Sequence, residues 1–126
     1  MRQVVRWEKP PEPFRHRSPI RSFMTTKKYS HPKMEEITLP VLMQALADPC
    51  RLAIVRELLL ADDRPLACNE VPLEVTKATR SHHFKVLREA GLISHQMEGT
   101  RCMTSLRRAE LDTCFPGLLA LIRKRI

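Results

Sequence analysis

A chain of 126 residues has room for one domain around one modest core. No run of 18 apolar residues occurs, and no apolar stretch follows the basic residues near the start, which predicts neither a spanning helix nor a secretory signal but a cytoplasmic protein. A pI near 9.9 points to nucleic acid, yet residues 1–33 hold nine of the 22 Lys/Arg and only two of the 14 Asp/Glu, so the remaining 13 basic and 12 acidic residues leave the rest at +1. Any case for DNA therefore rests on local placement.

Residues 1–33 also hold five of the ten prolines and follow neither a helical nor a strand period. They are expected to be a disordered basic arm, either solvated or reaching DNA, ahead of a domain over 34–126. Met24 and Met34 are alternative starts, which leaves residues 1–23 outside the expected fold.

From Glu35 the pattern becomes regular. Ile37, Val41, Leu42 and Ala45 recur at helical spacing and predict a first helix ending near Ala47. Asp48-Pro49 supplies an N-cap and a proline at the first helical position, and Leu52, Val55, Leu58 and Leu59 give the second helix its apolar stripe. Asp62-Asp63-Arg64-Pro65 breaks it. A short helix is expected over Ala67 to Val71, stopped by Pro72. Thr76 caps the next helix, which runs to Ala90 and stops at Gly91. Leu92–Met97 and Arg101–Leu106 read as a hairpin turning at Glu98-Gly99-Thr100. Leu111, Phe115, Leu118, Leu119 and Ile122 line a C-terminal helix that restarts at Pro116. A short helix, a tight connection, a second helix and a hairpin outline a mainly α, winged helix-turn-helix fold.

The helix from Thr76 carries adjacent histidines, His82 and His83. On a helical wheel Phe84, Leu87 and Ala90 share one side with His83 at its edge, while Ala78, Ser81, His82 and Lys85 lie opposite. Neighbours diverge by about 100°, so the two imidazoles cannot close on one metal ion. Neither has a ligand four residues away on its face, nor a nucleophile with an orienting partner. His83 reads as a packed structural residue. His82 joins Lys77, Thr79, Ser81, Lys85 and Arg88 near a polar, cationic surface, whose small side chains at Ala78 and Ser81 permit close approach to a groove. Taken alone this is equally an ordinary solvated face; the hairpin that follows, tipped by Gly99-Thr100-Arg101, favours DNA. No catalytic constellation is present, so no enzyme is predicted.

LADPCRLAIVRELL (46–59) resembles the second-helix signature of ArsR-type (arsenic-repressor-like) transcriptional regulators, and SHHFKVLREAGLISHQMEGTR (81–101) resembles their recognition helix and wing. The likeness covers about Glu35 to Ile126. It implies a dimer through the first and last helices, here Ile37–Ala47 and Leu111–Ile122. It further implies a repressor that binds a palindromic operator in double-stranded DNA and leaves when an effector binds. Carried over by position, Lys77, Thr79, Ser81 and His82 would face the major groove, Lys85 phosphates, and Arg101 flanking backbone or minor groove. Arg80 departs from the family pattern: it stands on the inner side where Val or Leu is usual. Either it snorkels outward to phosphate or the helix is rotated.

The resemblance also bears on sensing. The family's cysteine pair on the short helix is incomplete, with Cys68 followed by Asn69-Glu70. Its last-helix metal site is incomplete too, because Asp112 and Cys114 lack His or Glu partners later in that helix. The four cysteines show no compact zinc spacing, so no metal and no cofactor are predicted. Some members pair a thiol on the second helix with one on the last, which would be Cys50 and Cys114 here. An alternative function, a winged helix serving only protein interaction, would need an acidic or apolar recognition surface. Lys77, Lys85 and Arg88 argue against it, although Glu74 and Glu89 dilute the patch.

Overall fold

A computed structural model describes residues 29–62 and 64–125. A 3-10 turn at Met34–Glu36 leads into α1 (Leu39–Leu46) and α2 (Pro49–Leu60). Then come β1 (Leu66–Ala67), a second 3-10 turn at Cys68–Glu70, and α3 (Lys77–Glu89). The chain ends with β2 (Ile93–Glu98), β3 (Arg101–Leu106), α4 (Arg108–Cys114) and α5 (Leu118–Arg125).

The capping residues act as their chemistry predicts. Asp48 Oδ1 accepts from the N–H groups of Cys50 at 2.8 Å and Arg51 at 3.2 Å, satisfying two donors that the first turn of α2 leaves unpaired. Thr76 Oγ1 accepts from Thr79 N at 3.1 Å at the start of α3. The first helix begins later than the periodicity suggests: Thr38 caps it, and Ile37 lies before it. The C-terminal segment forms two helices, α4 and α5, with Gly117 between them at φ +89°, close to the restart expected at Pro116.

The segment expected to be a short helix over 67–71 is instead a strand and a 3-10 turn. β1 pairs antiparallel with β3, Leu66 opposite Thr104 and Ala67 opposite Met103, so the hairpin becomes a three-stranded sheet in the order β1-β3-β2. Two residues are too short to show a period, and their partner lies far along the chain. Within the hairpin Glu98 pairs with Arg101, so Gly99-Thr100 alone forms the turn. Gly99 sits there at φ +66°.

Leu42, Ile54, Leu58, Leu87, Leu92, Ile93 and Leu111 are fully buried and join α1–α4 and β2 in one core. Each such side chain contributes about 1.5–3 kcal/mol relative to exposure. Residues 29–33, placed in the arm by composition, already touch this fold. Arg107 donates to Pro32 O at 2.8 Å while its Nε meets Glu110 Oε1 at 2.8 Å, and His31 Nε2 accepts from His95 N at 3.0 Å. The rest of the expected arm, residues 1–28, lies outside the described residues.

Gly91 follows α3 at φ +81°, and a Cβ there would lie 2.9 Å from Ile37 Cγ1, whereas a Cβ on Gly99 would meet nothing within 4 Å. Gly99→Ala should therefore lose only the backbone cost of a left-handed conformation, about 1–2 kcal/mol. Gly91→Ala should lose clearly more in urea unfolding, and equal losses would show that Ile37 yields freely.

Candidate nucleic-acid interface

α3 presents two chemically distinct faces because its apolar residues recur at helical spacing while small, hydroxylic and basic ones fill the positions between. His83, Phe84 and Leu87 are buried; Lys77, Thr79, Ser81, His82 and Lys85 are exposed. Arg101 is exposed beside the hairpin turn. Six of the seven side chains expected at DNA are thus on the surface. The Thr79 hydroxyl oxygen accepts from Thr76 Oγ1 at 3.0 Å, leaving its own hydrogen free to donate outward.

Arg80 is the correction. Its guanidinium neither snorkels outward nor faces solvent. Nη1 donates to the carbonyls of Val71 at 2.8 Å and Cys68 at 3.0 Å, and Nη2 to that of Leu73 at 3.3 Å. The segment between β1 and α3 has no regular ladder for those carbonyls, so a fork of donors directed inward satisfies them. In place of the apolar contact that the resemblance implied at this position, Arg80 ties the connecting loop to the helix. Arg88 is likewise drawn off the outer surface: it is half-buried and stacks over Tyr29, 5.1 Å from the ring centroid.

The two histidines separate as the wheel requires. His83 is buried, with Nδ1 3.3 Å from Arg51 Nη1; a guanidinium only donates, so Nδ1 accepts. The Arg51 Nε donates to Ala45 O at 2.7 Å, which links α2 to both α1 and α3. His82 stays exposed, its ring 5.8 Å from that of His83.

Cys50 and Cys114, the thiol pair that the resemblance implied, stand on α2 and α4. Cys50 is half-buried in the first turn of α2, and Cys114 is exposed at the end of α4. The sulfurs of Cys68 and Cys102 lie 2.9 Å apart, and a ring nitrogen of His95 lies within 4.8 Å of both. Sequence spacing could not find this group, since it depends on the pairing of β1 with β3. The signal available was only that Cys102 and His95 both fall on inward-alternating positions of the hairpin.

Residues 46–96 match the family described as a helix-turn-helix domain. An uncharacterised HTH-type transcriptional regulator of Bacillus subtilis (strain 168), YceK, is 38% identical over 100 residues, covering 78% of this chain and 94% of that protein. The chain belongs to the ArsR-type winged helix-turn-helix transcriptional regulators. Among solved structures, reduced HlyU from Vibrio cholerae N16961 superposes with a TM-score of 0.55 at 26% identity, over 68% of the regulator and 84% of HlyU. The transcriptional repressor BigR from Xylella fastidiosa aligns at 22% identity with a TM-score of 0.47, over 61% and 82% of the two chains. Among the described residues of the regulator, no helix is long and apolar enough to cross a membrane.

His95 gives this region an acid dependence. Burial first, then the Arg88 guanidinium and His31, lowers its pKa from 6.5 to about 4, and burial followed by Arg107 and Arg88 lowers that of His31 as well. Below pH 6.5 the unfolded chain therefore binds a proton that the folded one refuses, so stability falls as the pH drops from 6.5 towards 4. The loss at the acid end from His95 is about 3 kcal/mol. Urea midpoints in chelator-treated protein should fall across this window, and His95→Gln should flatten the curve; an unchanged slope would show that another group titrates.

Proposed function

We propose that the regulator acts as a homodimeric repressor, placing α3 of each protomer in the major groove of a palindromic operator and releasing it when an effector binds. One observation carries this reading: Lys77, Thr79, Ser81, His82 and Lys85 form an exposed donor-rich face on a helix whose other face is locked into the core, with Arg101 exposed at the adjoining hairpin tip. Phosphate contacts would set register, and base-edge contacts would set sequence. Ser81 and His82 are assigned to base edges, Lys77 and Thr79 to the groove beside them, Lys85 to phosphate, and Arg101 to the flanking backbone or minor groove. Arg80 moves from contact to positioning, because its donors are already engaged with three carbonyls.

Exposed apolar residues support the dimer. Leu39 and Met43 are a turn apart on α1 and Leu121 stands on α5, at 53%, 44% and 57% exposure. Large side chains so placed favour association through the first and last helices. The two half-sites would then be about 34–36 Å apart. Release by a thiol-linked effector through Cys50 and Cys114 is the finer part of the proposal, and a Cys50–Cys114 linkage found by mass mapping after mild oxidation is its signature.

Fluorescence anisotropy of reduced, full-length regulator on its own upstream DNA, against a random duplex at physiological salt, is the decisive experiment. The expected preference is about a thousandfold or more. His82→Ala should weaken the specific duplex far more than the random one, whereas Lys85→Ala should weaken both alike and lower the salt slope by about one. Equal losses on both duplexes for His82→Ala would remove it from base readout. Indifference across a random-sequence selection would favour the protein-interaction reading instead.

A further inference from the structure

The geometry points to a metal site at Cys68, His95 and Cys102, built for a thiophilic cation such as Zn2+. The register of the sheet explains why these three meet. Leu66 faces Thr104 and Ala67 faces Met103 across β1 and β3, so Cys68, one step further on, comes opposite Cys102. Across the other side of β3, His95 faces Thr104, two residues from Cys102 and therefore on the same face of the sheet. Ligand atoms of all three lie within 4.8 Å of one another beside a cavity of about 350 Å3, whose lining includes Tyr29, Arg80 and Phe84.

The sulfur separation alone does not distinguish a metal clasp from a disulfide. Two thiolates on a tetrahedral zinc at about 2.3 Å stand roughly 3.8 Å apart, a disulfide holds its sulfurs about 2.05 Å apart, and 2.9 Å falls between. The imidazole decides. His95 is only 6% exposed, wedged against Tyr29 and Phe84, and its Nδ1 is buried without a hydrogen-bond partner. A buried ring nitrogen with no partner is costly; a metal ion would satisfy it, and a disulfide would not. The donor set of two sulfurs and a nitrogen, with no carboxylate in the cluster, suits Zn2+ and not Mg2+ or Ca2+. Binding displaces the two thiol protons to solvent, and two thiolates neutralise a divalent ion. Three protein ligands would leave a fourth position for water or a further group.

The second cluster, Asp48, Cys50 and His83, is weaker because its groups are engaged: Asp48 caps α2 and His83 meets Arg51. In contrast, the Cys68 group touches the connection to α3 at two points. Arg80 holds the Cys68 carbonyl, and Phe84 packs edge-on against His95 with centroids 5.8 Å apart. Metal binding, by moving the sulfurs apart by roughly 1 Å, would act on the seat of α3. The site itself stands on the cluster; only this effect on DNA rests on the operator reading above.

The test is anaerobic titration of reduced, metal-free, full-length regulator with Co2+ as the optical stand-in, followed by displacement with Zn2+. One equivalent should raise a sulfur-to-cobalt charge-transfer band and the d–d bands of a tetrahedral ion. Cys68→Ser and Cys102→Ser should weaken binding by more than the roughly 10–100-fold that losing an outer partner costs. His95→Gln should shift the d–d bands, and Cys50→Ser and Cys114→Ser should leave the spectrum unchanged. In the unmutated protein, Zn2+ should slow alkylation of Cys68 and Cys102 but not of Cys114, a readout independent of any variant's folding. The site is overturned if no band forms, if the band survives both cysteine substitutions, or if reduced protein ignores metal while air joins Cys68 to Cys102. Anisotropy with and without Zn2+ is a separate arm: failure to bind DNA in either state would sink the operator reading and leave the metal site standing.

Discussion

The Arg80 guanidinium, shared among the carbonyls of Cys68, Val71 and Leu73, fixes the turn on which the rest of this molecule depends. Between β1 and α3 the chain has only a 3-10 turn and irregular backbone, so its carbonyls lack a helical or sheet ladder. Leaving them unpaired near the core would be costly, and hydrogen bonds to a charged donor contribute about 1.5–3 kcal/mol each. The same cation, half-buried without those acceptors, would itself be destabilising. Neither arrangement is stable without the other. Their combination fixes the distance from the sheet to α3, positions Cys68 beside β3, and leaves the outer face of α3 free of internal obligations.

Local chemistry made the frame legible in the sequence. Asp48 with Pro49, Thr76 and Gly91 mark helix ends through hydrogen bonds and a backbone angle that involve their immediate neighbours, and each stands where its residue type requires. What could not be read depends on distant partners. β1 exists because Thr104 and Met103 offer it a ladder, and the inward course of Arg80 depends on carbonyls seven to twelve residues earlier. α1 fails differently. Val41 belongs to the apolar repeat yet is 40% exposed, because a helix with apolar residues on more than one side does not announce which side the core takes. The candidate contact face was largely legible by elimination, since polar residues on a half-buried helix mostly point outward; Arg80 and His83 are the exceptions. The Cys68–Cys102–His95 group was not.

The small sheet therefore has two roles at once. Its turn leaves Arg101 exposed, while its inward face brings Cys68, His95 and Cys102 together, with Phe84 of α3 packed edge-on against His95.

The contact between His31 and His95 has a consequence for solubility. In the order β1-β3-β2, the outer side of β2 is a sheet edge, and an open edge invites strands from other molecules to add to it. The amide of His95 donates to the imidazole of His31, 64 residues earlier, and so is not open to an added strand. Charge at Glu98 and the bend at Gly99 discourage pairing further along. At His95, then, a short segment from far back in the chain caps an edge that would otherwise accept a strand from another molecule.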